Sequence, residues 1–284
     1  MDASQRYRLS NGVEIPCIGY GTAPLNEAIG QEMPVGIDEA LVCGYRLIDT
    51  AWAYKNEAYL GAAIRRSGID RKELFVTSKC SNRFRGYEQA LACFKESLDL
   101  LRLEYLDLYL IHWPAKDGPP EQWQKLNSET WRALETLYKD GYVRAIGVSN
   151  FWPHHLEPLM EHAEIPPMVL QLEYHPGYIQ AEPVAFARAH GMIVEGWSPL
   201  GTGKLLNNET LLEIGKNYNK SPAQVILNWC VNTGVIPLPK SHNEARILQN
   251  IDIFDFKMSE DDMSTLSNME YIGGSGWTPD SITW

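Results

Sequence analysis

FVTSKCSNRFRGYEQALACFKESLDLLRLEYLDLYLIHWP, residues 75–114, carries the pattern that decides the fold. It opens on a short apolar run, Phe75–Lys79, passes through Gly86–Leu101, and closes on a second apolar run, Leu106–His112. In the middle segment Leu91, Phe94, Leu98 and Leu101 recur at the period of one buried helix face. The same alternation of strand and helix extends in both directions. The other strand candidates are Cys17–Thr22, Arg46–Thr50, Ala145–Ser149, Val169–Glu173, Ile193–Trp197 and Val235–Leu238, making eight in all. Helical stretches follow most of them: Glu57–Arg66, Ser128–Lys139, Pro153–His162, Glu182–His190 and Pro222–Asn232. Lys139-Asp140-Gly141 and His190-Gly191 match helices that end on a left-handed glycine. Upstream, Asn11-Gly12 sits inside Tyr7–Ile15 and predicts a small hairpin, because Asn-Gly favours a two-residue turn. Eight short strands alternating with helices predict an α/β chain, a parallel sheet closed into a (β/α)8 TIM barrel behind an N-terminal β-hairpin. A doubly wound open sheet is the alternative that alternation by itself leaves open. The Pro/Gly-rich stretch Pro114–Pro120 reads as a loop, and residues 1–284 read as a single domain.

Lys and Arg number 25 and Asp and Glu 36, for a net charge of −11. That balance argues against a nucleic-acid partner, which needs a basic face to neutralise phosphates. It leaves room for a small anion held by a few well-placed cations. No apolar run reaches membrane-spanning length, and MDASQRYRLS lacks the apolar stretch of a signal peptide. Cys17, Cys43, Cys80, Cys93 and Cys230 are odd in number, scattered and free of any C-x-x-C, the usage of reduced thiols in a cytoplasmic protein. The Asn208-Glu209-Thr210 sequon means little in such a chain.

Catalytic side chains of a barrel come from the C-terminal ends of its strands. Those positions hold Asp49, followed in its loop by Tyr54, then Lys79 and His112. A free phenol titrates near ~10, and a neighbouring ammonium lowers that value. A carboxylate beside the ammonium holds it charged and in place. Asp49–Lys79–Tyr54 therefore reads as a tuned proton donor, with His112 placed to orient a substrate carbonyl. Taken singly, each has a plainer reading: an ion pair for Asp49 and Lys79, a loop start for His112, a surface ring for Tyr54. Together, at equivalent positions of successive strands, they form an acid–base set for interconverting a carbonyl and an alcohol.

Three segments resemble the aldo-keto reductase family. Gly44-Tyr45-Arg46-Leu47-Ile48-Asp49-Thr50-Ala51 with Tyr54, Asn56-Glu57 and Leu60-Gly61 is similar to its first signature. Ser97-Leu98, Leu101, Leu103 and Tyr105–Pro114 resemble the second, and Ile236–Ser241 the third. The resemblance implies a (β/α)8 reductase using NADP(H), with Asp49, Tyr54, Lys79 and His112 as its catalytic tetrad. It places the nicotinamide carboxamide against Ser149, Asn150 and Gln171, and the ring on Trp197, where the family more often has Tyr and its bacterial diketogluconate-reductase branch has Trp. Gly21, Thr22 and Asp49 would line the same cofactor. Ser198, Leu200, Gly201 and Gly203 would form the loop crossing the pyrophosphate, with backbone amides as donors. Lys240, Ser241, Asn243 and Arg246 would cradle the adenosine 2′-phosphate, beside Gln249 and Asn250 at the adenine; Asn243 replaces a commoner Thr. Ala23, Pro24 and Leu25, with Trp52, Tyr54, His112, Trp113, Trp123 and Trp277, are the candidate pocket walls for a small carbonyl substrate. The resemblance also implies a monomer.

Other motifs fail on inspection. Gly19-Tyr20-Gly21 starts a dinucleotide fingerprint that breaks at Pro24, and Gly201-Thr202-Gly203-Lys204 lacks the flanking residues of a phosphate loop. A metal-dependent hydrolase built on Asp49, His112 and His175 has no H-x-H or H-E-x-x-H behind it. His154-His155 is a tempting ligand pair, but adjacent helical side chains are expected to diverge. A cofactor-binding protein that has lost its chemistry is the other class, and the intact tetrad argues against it.

Overall fold

The computed structural model describes residues 4–24, 36–271 and 274–282. Leu25, one of the candidate pocket residues, lies outside them. Strands β1 (Arg6–Arg8) and β2 (Glu14–Pro16) form the antiparallel hairpin. Its turn differs from the expected two-residue form. Gly12 N–H bonds the Leu9 carbonyl, and Leu9 N–H bonds the Val13 carbonyl at 2.8 Å, which leaves a three-residue loop. Gly12, at φ 87°, takes the left-handed position that follows such a turn, while Asn11 accepts from Val13 N–H and donates to the Arg144 carbonyl. Asn-Gly therefore marked the hairpin correctly but for a different turn.

Eight parallel strands follow in sequence order: β3 (Tyr20–Gly21), β4 (Leu47–Asp49), β5 (Phe75–Cys80), β6 (Leu108–Ile111), β7 (Ile146–Ser149), β8 (Val169–Glu173), β9 (Ile193–Trp197) and β10 (Val235–Leu238). Each falls within its predicted run or extends it by one residue. The first and last strands meet through Gly19 and Gly21 N–H, bonded at 3.0 Å to the Pro237 and Pro239 carbonyls. The reciprocal donor of a parallel ladder would be the N–H of residue 239, which proline lacks, so this seam is half-bonded. A Cβ on Gly21 would lie 2.9 Å from the Leu238 carbonyl oxygen, so only glycine fits the seam. Closure in place of a doubly wound sheet rests on these few contacts.

Ten helices are described: α1 (Ile37–Val42), α2 (Glu57–Ser67), α3 (Tyr87–Leu101), α4 (Pro120–Lys139), α5 (Pro153–His162), α6 (Ala181–Ala189), α7 (Glu209–Tyr218), α8 (Pro222–Asn232), α9 (Glu244–Ile251) and α10 (Glu260–Ser267). In α3, Phe94 and Leu101 are buried and Leu91 and Leu98 pack against the core, as the spacing required. Helix α4 begins two turns before the expected Ser128, because Pro120 occupies its first turn, where no N–H is needed. Asn208, the sequon asparagine, caps α7 by accepting from Leu211 N–H. The hairpin stands at the end where the strands begin: Asn11 is tied to Arg144 just before β7, and Tyr7 to the Val231 carbonyl just before β10. The opposite end, where the strands finish, is left for a site. Among the described residues no helix is long and apolar enough to cross a membrane, and the five cysteines are free, four of them buried.

Candidate active site

Strand β4 delivers Asp49 inward, and the 3-10 turn Trp52–Tyr54 folds Tyr54 back over the same strand end. Lys79, near the end of β5, lies between them and is 1% exposed. Its ammonium donates to Asp49 Oδ1 at 2.6 Å, to the Thr50 carbonyl at 2.9 Å and to Tyr54 Oη at 3.4 Å. All three ammonium hydrogens are thus accounted for. Burial opposes this charge, but Asp49 and Tyr54 outweigh it and hold the lysine pKa above its usual value. The tyrosine departs from expectation. Burial raises its pKa more than Lys79 lowers it, with Asp49 adding a further rise, so the net direction is upward. The phenol is therefore protonated at neutral pH, with the Lys79 ammonium against its oxygen. His112 packs edge-on against the Tyr54 ring, centroids 5.6 Å apart. Burial, then Lys79 and Arg85, push the imidazole pKa well below its ordinary value, so His112 is neutral. The four predicted catalytic residues are together at one strand-end mouth.

Sequence reading missed a neighbour. Gln171 Nε2 donates both to Asp49 Oδ2 at 2.9 Å and to Glu195 Oε2 at 2.8 Å. Glu195 is fully buried, and a carboxylate in the otherwise apolar run Ile193–Trp197 was the signal that could have found it. With its amide nitrogen committed to two carboxyls, Gln171 keeps its oxygen as its remaining polar atom.

Around the mouth, Asn150 sits at φ 62° and is tied down on every side. Its amide nitrogen donates to Ser149 Oγ and the His112 carbonyl, both at 3.0 Å, and its oxygen accepts from the Trp197 indole at 2.8 Å. A tyrosine at 197 has no indole N–H, which is what this chain uses to pin Asn150. Trp113 is buried, its ring 6.5 Å from that of Trp197, and Trp52 is buried against Phe84. Ala23 is exposed and Trp277 is 54% exposed, while Trp123 packs against His155. Thr22 bonds the Asp49 carbonyl through both N–H and Oγ1, and Gly21 serves the barrel seam, so both have structural tasks.

The loop after β9 corrects one expectation. The N–H groups of Gly201 and Gly203 bond the Ser198 and Leu200 carbonyls at 2.9 Å, and Thr202 N–H bonds Ser198 Oγ. These amides are satisfied by the loop's own tight turns and do not stand open as donors. Lys204 instead ties the loop to the C-terminal segment through the Gly274 carbonyl at 2.9 Å.

Beyond β10, Lys240 Nζ is buried without a hydrogen-bond partner among the described residues, and burial lowers its pKa to about 8. Ser241 Oγ accepts from Asn243 N–H, and Asn243 Oδ1 accepts from Arg246 N–H as the N-cap of α9, so the replacement of Thr keeps a capping side chain. Arg246 and Gln249 are exposed and Asn250 is buried. An orphaned ammonium beside a capped helix start and an exposed guanidinium is a donor set that suits a phosphate.

The metal alternative finds no support in this geometry. Asp49 has both oxygens engaged, and among the described residues Asp49, His112 and His175 do not gather around a common point. His154 and His155 do not diverge as expected. Both reach Asp280 Oδ1, at 3.2 and 3.4 Å, because the C-terminal segment brings that carboxylate between them. His155 Nδ1 accepts weakly from Trp152 N–H at 3.4 Å, which leaves its proton on Nε2, pointing at Asp280.

The family model described as Aldo/keto reductase family matches residues 17–270. Glyoxal reductase of Bacillus subtilis (strain 168) is 49% identical over 275 residues, 97% of this chain and 96% of that protein. The 9,11-endoperoxide prostaglandin H2 reductase of Trypanosoma cruzi (strain CL Brener) is 44% identical, covering 96% of this chain and 94% of its own. Among solved structures, a mutant of Gox0644 in complex with NADPH superimposes with a TM-score of 0.88 at 37% identity, covering all of both chains.

Proposed function

The chain belongs to the aldo/keto reductase family, and on that premise we propose that it reduces aldehydes and ketones to alcohols with NADPH, Tyr54 being the proton donor. The observation that carries this reading is the Lys79 ammonium, bonded to Asp49 and reaching the Tyr54 hydroxyl beside a neutral His112. When bound, NADPH supplies the hydride that the substrate carbonyl carbon accepts. Tyr54 gives its phenolic proton to the carbonyl oxygen, and Lys79 stabilises the phenolate that remains. Asp49 keeps Lys79 in place. Neutral His112 offers a ring N–H to the same oxygen and orients the carbonyl.

The cofactor-facing residues fit the group. Lys240 and Arg246, with Ser241 and the start of α9, take the 2′-phosphate, and the unpartnered Lys240 ammonium supports NADPH over NADH. Gln171 offers its free oxygen to the carboxamide, Trp197 its indole face, and Gln249 with Asn250 the adenine side. For the substrate, buried Trp52 and Trp113 favour a compact carbonyl compound, so small dicarbonyls lead the panel, ahead of keto-sugars and ketosteroids.

Loss of NADPH absorbance against that panel tests turnover. Tyr54→Phe should lower kcat by roughly two to four orders of magnitude while leaving NADPH affinity within about twofold. A phenylalanine variant that reduces any panel aldehyde at near-native rate removes Tyr54 from the donor role. NADPH binding with no turnover of any carbonyl would favour a non-catalytic binder.

A further inference from the structure

The chemistry proposed above leaves Glu195 without a task. It lies two residues before Trp197 on β9, and alternate residues of a strand share a face, so both belong to the barrel interior. Its register partner on β8 is Gln171, whose amide nitrogen is divided between Glu195 Oε2 and Asp49 Oδ2. Two carboxyl groups therefore share one amide, and the nearby ammonium, Lys79, is bonded to Asp49. Glu195 Oε1 is buried with no partner. A second negative charge here would be cut off from water with only one of its oxygens bonded, and would face Asp49, so the neutral acid is the favoured form. Burial first and Asp49 second raise the Glu195 pKa to about 8, against the lowering effects of Gln171 and Lys79.

Resting on the nicotinamide site proposed above, we infer that Glu195 is a proton-carrying counter-group to the cofactor ring. It stays a neutral acid with the reduced, uncharged ring and releases its proton to solvent when the site holds the oxidised, cationic ring. The step is an acid dissociation: the Glu195 O–H bond breaks, its electron pair stays on the carboxylate, and the proton goes to bulk water. The charged groups facing Glu195 are Asp49 of β4 and Lys79 of β5. Toward the mouth, Tyr54 and His112 stay neutral near pH 8, the phenol raised by burial and the imidazole lowered by it. Oxidised cofactor is thereby bound more tightly as pH rises, which favours hydride donation at the chemical step.

The phosphate end titrates as well, because Lys240, with its pKa near 8, takes up a proton when a phosphate arrives. That uptake is common to NADP+ and NADPH and cancels in their difference. Calorimetric titration of each form into the enzyme, in buffers of different ionisation enthalpy, counts the protons exchanged. NADP+ should release about half a proton more than NADPH near pH 7.5, and its affinity relative to NADPH should rise about tenfold from about pH 6 to 9. Glu195→Gln keeps the shape and an acceptor for Gln171, and it should abolish both differences while still binding NADPH. Equal proton exchange for the two forms in the wild type overturns the inference, as does a difference that persists in Glu195→Gln. If that variant does not fold, the wild-type pair of titrations decides alone. Failure of both forms to bind is a distinct result, and it would overturn the nicotinamide site itself together with the inference built on it.

Discussion

Lys79 and Lys240 both stand at or just past the C-terminal end of a barrel strand, yet their ammonium groups are treated in opposite ways. Lys79 has an acceptor for each hydrogen and a carboxylate 2.6 Å away, and its charge is reinforced. Lys240 is half-buried, its Nζ has no partner among the described residues, and its charge is weakened. The first arrangement is complete before any ligand arrives, and every element of it is held by backbone or buried side chains. The second, in the function proposed above, is completed by the cofactor's phosphate. A site that must react needs fixed geometry, whereas a site that must bind and release gains by leaving its strongest contact unmade until the ligand supplies it.

Lys79→Met should separate the two lysines most strongly. It strands the Asp49 carboxylate in the interior and should cost about 3–5 kcal/mol of stability, read from urea unfolding. It should also lower kcat at least ~100-fold through the loss of phenolate stabilisation. Stability unchanged within ~1 kcal/mol would mean that the pair is solvated in the working enzyme.

Lys240→Ala and Arg246→Ala should do the reverse, sparing stability and raising the Kd for NADPH by about 10–100-fold, with little change for NADH. Quenching of tryptophan fluorescence by each cofactor measures this. Equal losses for NADPH and NADH would remove these residues from the phosphate.

The smallest expected effect is on pH. The Lys240 pKa is depressed in the folded chain to about 8, so its ammonium is present below that value and lost above it. NADPH affinity should therefore decline above pH 8, by at most about tenfold per unit. Lys240→Ala should remove that slope, while the same change in a variant of the Lys79 region should leave it.

Much of the barrel was legible in the one-dimensional pattern. Short continuous apolar runs, buried on both faces, and helices with period 3.6 are local properties, and all eight strands lie where those runs predicted. Helices α1, α7, α9 and α10 escaped notice; they run only six to ten residues, too few turns for a period of 3.6 to stand out in the sequence, and the start of α4 hid behind a proline. That Asp49, Tyr54, Lys79 and His112 meet was legible because strand ends converge in a barrel, so position along a strand already carries spatial information. Glu195 was not, since its meaning depends on Gln171 and Asp49, which lie on other strands. Nor was the loop at Gly201–Gly203, whose amides the sequence offered to a phosphate and the chain spends on its own turns.

Sequence alone therefore determined which residue types arrive at the mouth: a phenol, an ammonium, a carboxylate and an imidazole, each set by its place at a strand end. Tertiary structure decided their states. Whether Tyr54 is raised or lowered, whether Lys240 is paired, and whether His154 and His155 meet depend on which groups are excluded from water and which lie within a few ångströms. Those are sums over contacts between residues far apart in the chain, and no local pattern contains them.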